Sequence, residues 1–359
     1  MSDPPLRKLF PAMYEPLLPA FFDQPRPREE KATCDECVMC PPKGPMPPSD
    51  DVMYFRPDVK CCTYHPRVPN YHVGGLLADE SPDIQEGRRR MRERVRSRIG
   101  VTPHNVSPPR KLEILRMASW RNTMGRSLML RCPFYAVESG GCTVWKYREI
   151  ECTTFFCKYS AGADGEAFWK ALRAYMVHVE RQLAEHAVQA IMPEYEDVPS
   201  PNGMTLEDLE DRPMNPKTYS ALWKKWEGRE EDFYIACHEH VTSLARDRYE
   251  ALVGGEALDQ HTAAMAAAYR AIVSPSLPER LMPNPEMGAK PVERGVLVKT
   301  YSHYEPLLLT DALHDVVREF GPAETVAEVR QRIVRQHHVD VPEDLILGLY
   351  QMRVLVAAG

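Results

Sequence analysis

No stretch of the 359 residues approaches the roughly 20 consecutive apolar residues that a membrane-spanning helix needs. The opening residues, MSDPPLRKLFPAMYEPLLPAFF, are broken by prolines and lack the basic-then-apolar layout of a secretory signal, so a cytoplasmic location is expected. Neither sign of charge dominates. Lys and Arg number 45 against 51 Asp and Glu, and the net charge of -6 gives no global pull toward nucleic acid or membrane. Glycine is sparse, with 19 residues, and no G-x-G-x-x-G or P-loop sequence supports a nucleotide-binding fold. Gly74-Gly75, Gly140-Gly141 and Gly254-Gly255 read as turns. The G-x-S-x-G elbow of serine hydrolases, the H-E-x-x-H of zinc proteases and the C-x3-C-x2-C of radical enzymes using S-adenosylmethionine are all missing.

Proline and cysteine are plentiful, at 33 and 10 residues. Nine cysteines, Cys34, Cys37, Cys40, Cys61, Cys62, Cys132, Cys142, Cys152 and Cys157, fall in one segment. In a reducing compartment such a cluster points to metal binding or redox chemistry before disulfides. Cys34-x2-Cys37-x2-Cys40 places three soft thiolates in one short loop, which suits iron–sulfur centres and zinc alike. Adjacent side chains rarely chelate one ion, so of Cys61 and Cys62 either one is a bystander or the two serve different metals. The tenth, Cys237, shares a helical face with Phe233, Val241 and Leu244 and reads as a buried thiol.

One part of this segment has a distinctive tail: Cys132-Pro133-Phe134, then Gly141-Cys142-Thr143-Val144-Trp145, then Arg148 four before Cys152, then Phe155 and Cys157. This tail resembles that of the YkgJ-type CxxCxxCC cysteine-cluster family, whose domain is regarded as a zinc- or iron-chelating module. The flagellin lysine-N-methylase carries a related cluster with iron–sulfur binding. The resemblance covers roughly residues 30–160. Trp145 stands for the family's tyrosine, Glu149 for its proline and Thr153 for its second arginine. The front motif is split, with residues 41–60 between Cys40 and Cys61, and a long insertion precedes Cys132. The resemblance implies that the nine cysteines are metal ligands. The cofactor it implies is an iron–sulfur cluster of the 4Fe–4S kind, with zinc as the alternative.

The first 50 residues hold 12 prolines, which rules out a continuous helix and predicts a segment wrapping the surface. Residues 83–99 read as a very basic helix with Met91, Val95 and Ile99 inward. Its seven arginines are expected to be solvated and to cover apolar surface; nucleic acid is disfavoured by the lack of interleaved aromatics. A further helical piece fits 111–130, broken at Gly125. Residues 164–191 give the clearest helix, with Phe168, Leu172, Tyr175, Met176, Val179, Leu183 and Ala187 at helical spacing. His178 and His186 near this stripe, and His238-Glu239-His240 further on, are more simply structural than ligating, since i and i+2 side chains do not share a helix face. Helices are expected at 216–227, 229–253 and 256–273, with Trp223 and Trp226 docking this block on its neighbours. Proline-rich boundaries are expected at 193–216 and 274–293. Strands within 295–309 and helices at 311–320, 325–337 and 342–356 complete the chain.

The expected fold class is therefore mainly α. An irregular cysteine-rich metal-binding lobe (1–163) would pack on a helical domain (164–275). A small strand-plus-three-helix unit (290–359) would follow, similar in pattern to winged-helix and PqqD-like modules and available to a protein or peptide partner. Trp145, Phe155, Phe156 and Tyr159 would shield a cluster from water. The expected function is a metalloprotein with a redox or cluster-assisted role. The alternatives are a lysine-methylase-like protein-modifying enzyme and a structural zinc protein that binds other proteins.

Overall fold

The computed structural model describes residues 3–32, 36–41, 54–197 and 204–358. The chain is mainly helical with small antiparallel sheets. Its elements run β1 (Val68–Pro69), α1 (Asn70–Ala78), α2 (Gln85–Ser97), β2 (Asn105–Val106), α3 (Arg110–Thr123), β3 (Tyr135–Ala136), β4 (Gly141–Cys142), α4 (Ile150–Thr154) and the long α5 (Gly162–Ile191). Then come α6 (Leu206–Leu209), α7 (Pro216–Trp223), α8 (Glu230–Thr242), α9 (Arg246–Val253) and α10 (Glu256–Val273). The last part holds β5 (Leu281–Pro283), β6 (Gly288–Val292), β7 (Gly295–Lys299), β8 (Leu307–Leu309), α11 (Asp311–Arg318), α12 (Val326–His337), α13 (Glu343–Gln351) and β9 (Leu355–Ala357).

The main core is built on α5. Its predicted stripe, Phe168 to Ala187, is buried throughout and packs against α8, α9 and α10. Burying each large apolar side chain of this stripe contributes about 1.5–3 kcal/mol. The same buried cluster runs from Leu6 to Tyr269. A second core gathers residues from Leu281 to Leu355, around Val298, Val317, Val329, Ile333 and Ile346. There β6, β7 and β8 form a three-stranded antiparallel sheet, with Val296 opposite Leu309, and β5 pairs with β9. Thr325 and Glu328 cap α12 reciprocally, as their spacing predicts.

Several elements depart from the sequence expectations. The proline-rich N-terminus does not lie on the surface alone. Its prolines break it into short 3-10 turns that turn Leu6, Tyr14, Leu17, Leu18 and Phe22 into the main core. Gly74-Gly75 is not a turn but the middle of α1, a helix buried along almost its whole length. The helix expected over 229–253 stops at Thr242 and restarts at Arg246. Thr242 and Ser243 direct their hydroxyls back to the carbonyls of His238 and His240, competing with the helical ladder. The 274–293 boundary contains β5 and β6. The last helix ends at Gln351 because Arg353 takes a left-handed conformation, after which β9 returns to β5. Trp223 docks as expected, buried edge-on against Phe233 and Tyr234.

The basic helix α2 buries Met91 and Val95, and all seven arginines are engaged within the molecule. Arg88 donates to the Asp79 carbonyl, Arg90 to those of Pro133 and Tyr135, and Arg94 to those of Ile99 and Ser107. Arg89 pairs with Glu86 and Glu93, Arg92 and Arg96 with Glu231, and Arg98 with Glu227. Among the described residues no helix is long and apolar enough to cross a membrane.

Candidate metal centre

The cysteines arrive on tight turns, not on long elements. Cys37 and Cys40 are joined by a backbone bond from the Cys40 amide to the Cys37 carbonyl (2.9 Å), and Phe55 extends this turn by donating to the Met39 carbonyl (2.6 Å). Cys61 and Cys62 sit on a turn that passes through Lys60 in the left-handed region. The Cys132 amide donates to the Cys62 carbonyl (2.8 Å), which ties the two halves of the segment together. Cys142 lies on β4 directly opposite Tyr135. Cys152 is carried by α4, which packs on α5, and Cys157 follows it. Gly125 closes the arrangement: its φ of +70° favours glycine, and a Cβ there would meet the Phe55 ring at 2.2 Å.

Seven cysteines, Cys37, Cys61, Cys62, Cys132, Cys142, Cys152 and Cys157, line one cavity of about 920 Å³. They divide by what they pack against. Cys37, Cys40, Cys61 and Cys157 surround a small cluster of Met39, Phe55 and Met124. Cys62 and Cys142 pack on the main core, which includes Cys132. Electrostatic coupling follows this grouping only in part: Cys157 feels Cys61 and Cys37, and Cys152 feels Glu149, Cys132 and Cys142, but Cys61 is coupled most strongly to Cys62 across it. Cys61 and Cys62, adjacent in sequence and hydrogen-bonded to each other, pack on different apolar clusters. Cys34 lies outside the described residues. Among the described residues no three His, Cys, Asp or Glu side chains converge as a ready-made ion site. Cys237 is fully buried among the α8 residues Phe233 and Val241, as its helical position predicts.

Burial pushes the Cys132 and Cys157 thiols up to about 12. Cys40 rises equally, first through burial and then through repulsion from Cys37. The Cys61 thiol is raised first by its hydrogen bond to Cys62 and then by burial. These thiols are therefore protonated at neutral pH in the absence of a cation. A bound metal reverses that balance, because a coordinating thiol is deprotonated.

The aromatic residues expected to shield the thiols are spread from rim to interior. Trp145 is 54% exposed, with the Arg148 guanidinium 3.4 Å above its ring. Tyr159 is buried, and Phe156 packs on Trp169 with ring centroids 4.7 Å apart. Arg116 stacks over both Tyr64 and Trp120 on another wall. Two buried carboxyls lie behind Cys152. Glu149 accepts from the Arg67 amide (2.8 Å), and burial raises it to about 7. Glu180 accepts from the Ile150 amide (3.1 Å), and burial raises it well above the carboxylate range. Arg116 and Trp120 were not legible as site residues, since helical spacing alone does not say which wall a side chain meets. Glu149 carried one signal, as a carboxylate where the resembling family has proline.

Protein-family models, curated proteins and solved structures offer no match to this chain.

Proposed function

We propose that the chain is a cysteine-ligated metalloprotein carrying two iron–sulfur clusters, of the 4Fe–4S kind, in a redox or cluster-assisted role in the cytoplasm. The observation that carries this reading is the presence of seven cysteines, from widely separated stretches, on the walls of one cavity. The donor set fits the cofactor: it is all sulfur and soft, and the seven cavity thiols together with Cys40, which packs on the Phe55 cluster beside them, make two sets of four. Cys37, Cys40, Cys61 and Cys157 would hold one cluster, and Cys62, Cys132, Cys142 and Cys152 the other. On this reading Cys61 and Cys62 serve different centres. When bound, such clusters supply one-electron transfer at a potential set by burial and hydrogen bonding. The chain's own part is to deliver the thiols and exclude water with Phe55, Phe134, Phe155 and Phe156. The cysteine-rich region then acts as a metal lobe, and the small C-terminal α+β unit would receive a protein partner in the manner of winged-helix or PqqD-like modules.

The test is anaerobic purification with iron, acid-labile sulfide and zinc measured beside the visible spectrum. The proposal expects iron and sulfide in near-equal amounts. Cys37→Ser and Cys152→Ser should each remove about half of both, and the double variant nearly all. Zinc alone without visible absorbance would replace the proposal with a structural zinc lobe. Unchanged metal in both single variants would show the ligand sets to be wrong.

A further inference from the structure

Away from the cysteines, α5 and α8 bring two histidines together. His186 Nε2 and His240 Nε2 lie 3.1 Å apart, with ring centroids 5.0 Å apart and planes inclined by 45°. Both are partly exposed. His238, two residues from His240, turns the other way and meets the Tyr71 carbonyl through Nδ1. His178, two turns earlier on α5, contacts the Val253 carbonyl instead. Only the 186–240 pair directs two ring nitrogens at each other among the described residues.

Without a cation, this contact is a hydrogen bond in which one ring donates and the other accepts. Its dimension also suits a shared ion. Zinc–imidazole bonds of about 2.0–2.1 Å place two nitrogens about 3.3 Å apart at a tetrahedral angle and about 2.9 Å apart at a right angle. The observed separation falls between these. Both imidazoles are held neutral, the ligating form, by partial burial; Arg248 of α9 reinforces this at His186.

We propose that His186 and His240 form a two-imidazole site for a divalent transition-metal ion of the zinc–nickel class, bridging α5 and α8. Water fills the remaining coordination positions, so the site is weaker than a three-ligand catalytic centre. Arg248 opposes the incoming charge, so its removal tightens binding. The site is independent of the thiol cavity and of whatever metal that cavity holds.

The test is titration of the full-length holoprotein with Ni²⁺ at pH 8, reading the melting temperature. Nickel suits imidazole ligands. The wild type should gain stability with added ion by mass action. His186→Gln and His240→Asn should raise the apparent Kd at least about tenfold, the smaller loss seen when only a ligand's supporting partner is removed. His178→Gln should match the wild type, and Arg248→Ala should bind more tightly. As a check within the wild type, substoichiometric Ni²⁺ should broaden the His186 and His240 imidazole resonances before any other histidine. Equal nickel response in wild type and both pair variants, or broadening of other histidines first, would overturn the proposal; so would the absence of any response in the wild type.

Discussion

Gly74→Ala tests how the main core is built. Residue 74 lies in the middle of α1, where alanine is ordinarily favoured over glycine by about 1 kcal/mol. Here a Cβ would sit 1.9 Å from the Tyr234 carbonyl oxygen and 2.5 Å from its carbon, with His238 Cβ at 2.8 Å. Tolerable contact begins near 3.0 Å, so α1 and α8 must separate by about 1 Å. The obstructing atoms are backbone, held in the α8 ladder, and cannot rotate away. Close-packed interiors resist such a displacement. Overpacking by a methyl group costs about 1–3 kcal/mol, and a backbone clash belongs at the top of that range or above it. The propensity gain offsets only part, leaving a net loss of about 2–3 kcal/mol. Gly75→Ala should cost less, because its nearest atoms belong to the Tyr147 and His238 rings. Gly348→Ala in α13 is the control: nothing lies within 4 Å, and it should stabilise by about 0.5–1 kcal/mol. Urea denaturation of the three variants against wild type provides the measurement. A Gly74→Ala protein as stable as wild type would refute the close contact of α1 with α8.

Glu180→Gln keeps the acceptor for the Ile150 amide but removes an acid that burial holds neutral in the fold. A carboxyl whose folded pKa is raised contributes stability at low pH and loses it as pH rises above the unfolded value of about 4.5. The variant should therefore match wild type below about pH 4.5 and gain on it by up to about 1.4 kcal/mol per pH unit above; flat difference curves from pH 4 to 7 would contradict this. His72 works with opposite sign: burial lowers it to about 3, so protonation of the unfolded chain withdraws stability as pH falls from about 6.5 toward 3, and a titration of His72→Phe should show that acid sensitivity reduced. Thr325→Ala removes the capping box of α12 and should cost about 1 kcal/mol by denaturant unfolding, while Thr325→Ser should restore most of it.

The parts of the fold legible in sequence are those where one local rule acts alone. The stripe of α5, Phe168 to Ala187, repeats for more than five turns, so its period survives any tertiary detail. Thr325 and Glu328 satisfy each other within four residues, and α10 begins after Gly255 and ends at Val273 as its pattern indicates. Where two rules compete, the sequence underdetermines the result. Gly74-Gly75 reads as a turn by conformational freedom, yet the glycines serve close helix packing against a partner some 160 residues away. Residues 342–356 are apolar at helical spacing, but the left-handed Arg353 and a free edge at β5 convert the end into a strand. For the candidate site, the identities of the thiols were legible, whereas their division was not. That division rests on Cys61 packing on the Phe55 cluster and Cys62 on the main core, which spacing does not specify.

This division has a consequence for how metal and fold depend on each other. Among the described residues the set around Cys37, Cys40, Cys61 and Cys157 has Met39, Phe55 and Met124 as its buried core, with Trp120, Phe155 and Tyr304 partly buried against it. On the proposed reading, so small a core leaves the turns at 36–41 and 54–63 dependent on metal–thiolate bonds. The Cys62, Cys132, Cys142 and Cys152 set instead rests on the main core, whose stability comes from α1, α5, α8 and α10. If the proposed clusters are bound, stripping the metal should therefore loosen the molecule unevenly. Hydrogen exchange before and after chelation should rise most at 36–41 and 54–63, moderately at 131–157, and not in α5 or α10. Exchange that rises uniformly through α5 would mean the metal supports the whole fold. Exchange that changes nowhere would mean that the first thiol set binds nothing.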